Sequence, residues 1–192
     1  MTQPQRTITI VDYNPDWPAQ FETIRAGLQS ALGDLALRID HIGSTSVPGL
    51  GAKDIIDVQI TVAELSDAAR DRLIAAGYAY HPGFDHDHVP AGEDPAPERW
   101  VKFLFNEPPG DRRANIHMRV LGNPNQRYAL LFRDYLRAHP LAARTVEHIK
   151  RQLARLHPHD IDAYLAVKDP VYDLIWLAAK AWEEEGPTPI QR

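Results

Sequence analysis

His41-Ile42-Gly43-Ser44-Thr45-Ser46-Val47-Pro48-Gly49-Leu50-Gly51-Ala52-Lys53-Asp54-Ile55-Ile56-Asp57-Val58-Gln59-Ile60-Thr61-Val62 reads as the end of one strand, a glycine-serine loop and a second, buried strand. Apolar residues alternate at Leu35, Leu37 and Ile39 ahead of Gly43 and Ser44, while Pro48, Gly49 and Gly51 keep the next stretch from becoming one regular element. Beyond it the run Ile55 to Ile60 is rich in β-branched residues with a period of two, which argues a strand, and on that strand Asp57 and Gln59 share one face. A carboxylate aimed from a buried strand at such a loop is a recurring way to hold a divalent ion against phosphates. The loop supplies backbone N–H groups and a hydroxyl, and the acid supplies a hard oxygen. Without a ligand, the same residues read as Ser44 and Thr45 capping a turn and Asp57 pairing with a nearby Lys or Arg.

The stretch resembles the GrpB family, whose hallmark is similar to His-[IV]-Gly-Ser-Thr-[SA]-Val-Pro-Gly-Leu-x-Ala-Lys-x-[IV]-Ile-Asp. The resemblance runs from Tyr13-Asn14-Pro15-Asp16-Trp17 to Leu131-Phe132-Arg133-Asp134-Tyr135-Leu136-Arg137-Ala138-His139-Pro140 and so covers most of the chain. It implies the nucleotidyltransferase fold: an α+β domain with a mixed β-sheet flanked by helices and a helical C-terminal third. Within the family, Lys53 to Gln59 and Asn115-Ile116-His117-Met118-Arg119 look most like the domain fused to bacterial dephospho-CoA kinases. The resemblance further implies Asp57 and His117 as catalytic residues. Gly43, Ser44, Thr45, Ser46, Lys53, Lys102 and Arg119 are the expected phosphate ligands, and Asp57 with Gln59 the expected magnesium site.

One position departs from the catalytic superfamily. Gln59 stands where a second metal carboxylate belongs, and Asn115 or His117 where a third would be sought. An amide oxygen can coordinate a hard cation but brings no charge, so magnesium should bind weakly here, and an acid at position 59 should tighten it. Two function classes follow. One is nucleotidyl transfer with magnesium; the other is a non-catalytic accessory module that binds a CoA-related nucleotide or assists folding of a partner enzyme. Dephospho-CoA kinase activity itself is disfavoured, because the chain has no Gly-x-x-x-x-Gly-Lys-[Ser/Thr] loop.

Composition narrows the classes further. A chain of 192 residues, 44% hydrophobic and 24% charged, is long enough for one substantial core and is expected to form one domain over residues 1–192. The formal net charge of -5 gives no general attraction to nucleic acid, so the expected partner is a nucleotide or other phosphorylated small molecule. The absence of cysteine removes disulfides, thiolate metal sites and thiol nucleophiles. Met1 to Arg6 lead into the first segment without an apolar h-region, and no apolar run is long enough for a bilayer, so a cytoplasmic protein that does not enter the membrane is expected.

Outward from the central stretch, Thr7 to Val11 alternate like a short strand. Trp17, Phe21, Ile24, Leu28 and Leu32 recur at helical spacing between an Asp16 cap and Gly33, and a second helix opens at Ser66 and stops at Gly77. Residues 81–97 form a long loop, in which Asp85, His86, Asp87 and His88 read as a solvated run, a lid or, less simply, metal ligands. Trp100 to Phe105 and Ala114 to Val120 read as a hairpin. Asn115, His117 and Arg119 then share one strand face, which is either a solvent face or the pocket beside Asp57. Three helices follow, the last carrying Val171 to Trp182. Arg127, Arg133 and Arg137 lie off the apolar stripe of the first of these and read as a solvated face.

Overall fold

The computed structural model describes residues 7–186. Five strands form one sheet in the order β1-β2-β5-β4-β3. They are β1 (Arg38–Ile42), β2 (Ile56–Val62), β3 (Ala79–Tyr80), β4 (Phe103–Asn106) and β5 (Ala114–Val120). The central pair β2 and β5 is parallel; β1 on β2, β4 on β5 and β3 on β4 are antiparallel, so the sheet is mixed. Five helices surround it: α1 (Trp17–Leu32), α2 (Asp67–Ala75), α3 (Pro124–Ala138), α4 (Pro140–Leu156) and α5 (Ile161–Glu185). The expected α+β architecture with a helical C-terminal region is present.

The period of two in β2 and β5 sorts their side chains onto two unlike faces. Ile56, Val58, Ile60 and Val62, with Ala114, Ile116 and Met118, face the layer made by α1 and α2 and form the main core with Trp17, Phe21, Leu28 and Leu73. Asp57, Gln59 and Thr61 stand in register with Asn115, His117 and Arg119 on the other face. That face is polar yet lies under α3 and the helices behind it, so its groups must find partners inside the protein, where an unpaired polar atom costs about 1–3 kcal/mol.

Local chemistry explains most element ends. Helix α1 stops where Gly33 takes φ 57, and the Ser66 hydroxyl caps α2 by accepting from Ala69 N. Asp16 precedes α1 but makes no side-chain cap; Asn14 Oδ1 accepts from Asp16 N instead. Thr7 to Val11 do not form a strand. Val11 makes a single antiparallel bridge to Ala52, which stands alone and gives the alternation no ladder to join. The final helix begins earlier than its apolar run suggests: Asp160 caps it through Ala163 N, and it continues through Pro170, which costs one hydrogen bond without ending it. Glu183 to Glu185 still belong to α5, whereas the expected frayed tail from Pro187 lies outside the described residues.

Candidate functional site

Gly43 follows the last residue of β1 with φ 67, a conformation that glycine adopts without strain, and Ser44–Ser46 come next as one 3-10 turn. The turn is tied down from several directions. Ser46 Oγ donates to the Gly43 carbonyl at 2.6 Å, and Thr45 Oγ1 lies 3.0 Å from His41 Nε2. His41 is stacked on Phe21 with ring centroids 4.8 Å apart, and burial, with Arg137 and Arg133 nearby, lowers its pKa to about 4. It is therefore a neutral ring that braces the turn.

The helices supply the rest of the clamp. Arg137 gives two hydrogen bonds, 3.0 and 2.7 Å, to the Ser46 carbonyl, and Arg133 donates to the His41 carbonyl at 3.0 Å while pairing with Asp134 and Asp40. The expected solvated face of α3 holds for Arg127 and Arg137, which are exposed, and is corrected at Arg133. Arg133 is buried because strand carbonyls and carboxylates satisfy its guanidinium, and Arg137, itself exposed, grips the loop; Arg127 pairs with Glu183. From α4, Glu147 accepts from Gly51 N, and Lys150 Nζ donates to both Ser44 Oγ and the Gly51 carbonyl at 2.9 Å.

Between this loop, the polar sheet face and α5 lies a cavity of about 330 Å³. Gly43, Ser44, Thr45, Lys53, Asp57, His117 and Arg119, all expected site residues, line it, together with Asn115, Lys150 and Lys168. Three tyrosines, Tyr128, Tyr164 and Tyr172, complete the wall. Lys150, Lys168 and the tyrosines were not singled out from the sequence.

Asp57 is the carboxylate of this cavity. Burial raises its pKa, opposed by a 2.9 Å hydrogen bond from Asn115 Nδ2 and by the charges of Lys53, Lys150 and Lys168. Burial lowers Lys150 to about 8, and it lowers Lys53 as well. Lys168 pairs with Asp169 at 2.7 Å and lies over the Tyr172 ring. The Tyr172 hydroxyl faces Ser44 and is pushed up to about 12 by burial. Tyr164 is fully buried, and its hydroxyl has no hydrogen-bond partner among the described residues. His117 is kept neutral by burial and by Arg119 and Lys102. Its Nδ1 lies 3.3 Å from Arg119 Nη2, which can only donate, so its proton sits on Nε2.

The remaining expected residues do other work. Ser46 points its hydroxyl back at Gly43 and does not line the cavity. Lys102 and Arg119 both bind Asp87: Lys102 Nζ at 2.6 Å, Arg119 Nε at 2.7 Å and Nη2 at 3.0 Å. Burial alone would raise the Asp87 carboxyl, but Arg119 and Lys102 hold it well below the usual carboxylate range. The 81–97 segment is accordingly pinned to the sheet by Asp87, and Glu93 ties it to α5 through Trp176 and Lys180.

Gln59 is fully buried. Its Oε1 accepts from Arg119 at 2.7 Å, and its Nε2 donates to the Gln126 carbonyl at 3.1 Å. Asn115 turns its amide nitrogen, not its oxygen, toward Asp57, and its oxygen accepts from Asn106. Among the described residues no group of three or more His, Cys, Asp or Glu is arranged to hold a metal. A hard cation here would meet Asp57 as the one carboxylate lining the cavity, among Lys53, Lys150 and the Asp169-paired Lys168, a donor set poor for a resident magnesium ion. Among the described residues, no helix is long and apolar enough to cross a membrane.

The family model described as GrpB protein matches residues 7–176. A crystal structure of conserved protein GrpB from Enterococcus faecalis is 33% identical, with TM-score 0.74, covering 91% of this chain and 99% of that one. The dephospho-CoA kinase of Mycolicibacterium paratuberculosis is 37% identical over 194 residues, covering 92% of this chain but 47% of the kinase. UPF0157 protein YqkA of Bacillus subtilis is 34% identical over 183 residues, covering 94% of this chain and 50% of that protein. The chain therefore spans about half the length of these two curated relatives.

Proposed function

The chain belongs to the GrpB family, and from that premise we propose that its cavity binds the phosphates of a nucleotide or other phosphorylated small molecule. One observation carries the reading: Lys53, Lys150 and Lys168 line one cavity of about 330 Å³ around Asp57, with Lys150 hydrogen-bonded to Ser44 and Lys168 paired with Asp169. Ammonium groups with few counter-charges are costly to bury, and an incoming phosphate chain supplies the missing negative charge.

In this reading the lysines neutralise the phosphates, and magnesium arrives, where it arrives, as a counter-ion of the nucleotide. Asp57, with a raised pKa beside the loop, is the group that would accept a proton from a nucleophile, and His117 presents Nε2–H as a donor. Nucleotidyl transfer is thus the catalytic form of the proposal. A non-catalytic accessory role is favoured by one specific feature: the position of a second carboxylate is filled by Gln59, which is tied to Arg119.

Thermal-shift and calorimetric titration with ATP, dephospho-CoA and inorganic tripolyphosphate, each with and without magnesium, test the binding. A ligand that binds only the folded state raises its stability by mass action, about 2.7 kcal/mol at a hundred times Kd. Saturable binding that Lys150→Met abolishes is expected. No binding of any of the three by the wild-type protein would overturn the reading. Incubation with radiolabelled nucleotide and analysis for labelled products separates transfer from binding alone.

A further inference from the structure

Lys150 Nζ stands 2.9 Å from Ser44 Oγ and donates to the Gly51 carbonyl at the same distance. From α5 the Tyr172 hydroxyl hydrogen-bonds Ser44 as well. Ser44 is half-buried and lines the cavity of about 330 Å³, so it is open to whatever enters that space. Lys150, by contrast, is only 3% exposed. Holding the loop does not by itself call for a buried lysine there. Arg137 already grips the Ser46 carbonyl, Glu147 accepts from Gly51 N, and Ser46 Oγ closes the turn on Gly43.

A nucleophilic hydroxyl is recognised by a base within hydrogen-bond reach that is itself oriented by a third group, and lysine serves as that base in Ser–Lys pairs. Ser44, Lys150 and the Gly51 carbonyl meet both conditions. A neutral amine keeps two protons and gains a lone pair. One proton can stay on the Gly51 carbonyl while the lone pair accepts from Ser44 Oγ–H. Burial favours that neutral form and, with Lys53 and Lys168, outweighs the opposing charges of Asp57 and Glu147, so the pKa of Lys150 falls to about 8. A general base works best with a pKa near the operating pH.

Resting on the phosphate-site reading above, we propose that Ser44 is a covalent nucleophile toward phosphorus, with Lys150 as the base that takes its proton. The donor is a nucleoside triphosphate. The Ser44 Oγ–P bond forms as the P–O bond to the leaving group breaks, and the hydroxyl proton passes to Lys150 Nζ. Attack at the α-phosphorus leaves a nucleotidyl-serine and expels pyrophosphate; attack at the γ-phosphorus leaves a phosphoserine and expels the nucleoside diphosphate. Lys150 becomes an ammonium in the same step and joins Lys53 and Lys168 in offsetting the charge of the expelled anion. Transfer then runs in two steps, with Asp57 left to serve the acceptor.

Intact-mass and peptide mass spectrometry on the wild-type protein after incubation with ATP and magnesium test the inference, with ATP binding measured on the same sample by calorimetry. Exchange of labelled pyrophosphate or labelled ADP into ATP reports an adduct that does not accumulate. A nucleotidyl or phosphoryl group on Ser44 is expected, or exchange that Ser44→Ala removes while still binding ATP; the mass identifies the phosphorus attacked. At saturating ATP the rate should rise roughly tenfold from pH 6 to pH 7 and level off above about 8, as the neutral share of Lys150 grows. Lys150→Arg, which keeps the charge but is no base, should slow it by at least about a hundredfold. Neither adduct nor exchange in wild-type protein that binds ATP would overturn the nucleophile and leave the phosphate site standing, whereas no binding of ATP or tripolyphosphate would overturn both. A group carried on another residue, exchange undiminished in Ser44→Ala, or an unaltered rate and pH profile in Lys150→Arg would also overturn the proposal.

Discussion

Gly43 is packed so closely on Asp57 that a Cβ at position 43 would stand 2.4 Å from Asp57 Oδ2. The turn has φ 67 at the same residue, so any side chain there meets both a steric and a conformational obstacle. The carboxylate and the loop are therefore a single unit, each fixing where the other sits.

Gly43→Ala is expected to displace the Asp57 carboxylate and to destabilise the protein by about 1–3 kcal/mol through backbone strain and overpacking. Urea denaturation measures the loss. Titration with the ligand that binds the wild-type protein should show at least a tenfold weaker affinity. A variant with wild-type stability and affinity would mean that the contact between residues 43 and 57 does not organise the site.

Lys150 bridges Ser44 Oγ and the Gly51 carbonyl from α4, with a pKa near 8. Its charge is present below that value and lost above it. Affinity for tripolyphosphate should accordingly fall as pH rises from 7 to 9, more steeply than for Lys150→Arg, which stays charged throughout. Calorimetry at several pH values gives the slope. Identical profiles for wild type and Lys150→Arg would exclude Lys150 as the titrating cation.

Parallel reasoning gives the acid limb of stability. His41 is neutral in the folded state with a pKa of about 4, against an ordinary value of 6.5. The unfolded chain therefore binds more protons between those values, and stability falls as pH drops through that window. Between pH 7 and pH 5 the His41 share is about 2 kcal/mol, with buried His117, also lowered, adding in the same direction. His41→Gln, which keeps a partner for Thr45 but does not titrate, should show a shallower decline in urea midpoint over that range. An equal decline would assign the acid sensitivity elsewhere.

The sheet and its central loop were legible because local pattern decides them. A period of two in β2 and β5 sorts apolar from polar side chains, and Gly43, Ser44 and Asp57 lie within one short stretch. The cavity's far wall was not legible, since Lys150 meets Ser44 across a separation of 106 residues and nothing in the pattern of α4 says what its face will meet. Arg133 and Arg137 illustrate the same limit. Helical spacing shows that they lie off the apolar stripe, but not that the Ser46 and His41 carbonyls wait there to accept from them. Asp87 was legible only as part of the Asp85 to His88 run, which suggested a solvated loop, a lid or metal ligands; its actual partners, Lys102 and Arg119, stand on the sheet side of the hairpin.

Gln59 is where sequence and structure give opposite predictions. Spacing alone puts residue 59 beside Asp57, and from that an acid there should tighten magnesium binding. In the fold, Gln59 is fully enclosed, its oxygen held by Arg119 and its nitrogen donating to the Gln126 carbonyl, and it does not line the cavity. Gln59→Asp would turn its carboxylate onto Arg119, compete with Asp87 for the same guanidinium and leave the Gln126 carbonyl without its donor. The expected result is a loss of about 1–3 kcal/mol of stability and no gain in magnesium affinity. Urea denaturation and magnesium calorimetry on the folded variant near neutral pH check both halves. A clear tightening of magnesium binding with the fold intact would show that residue 59 reaches the Asp57 cavity after all, and the lysine-based account of charge balance in this site would then have to give way to a metal-based one.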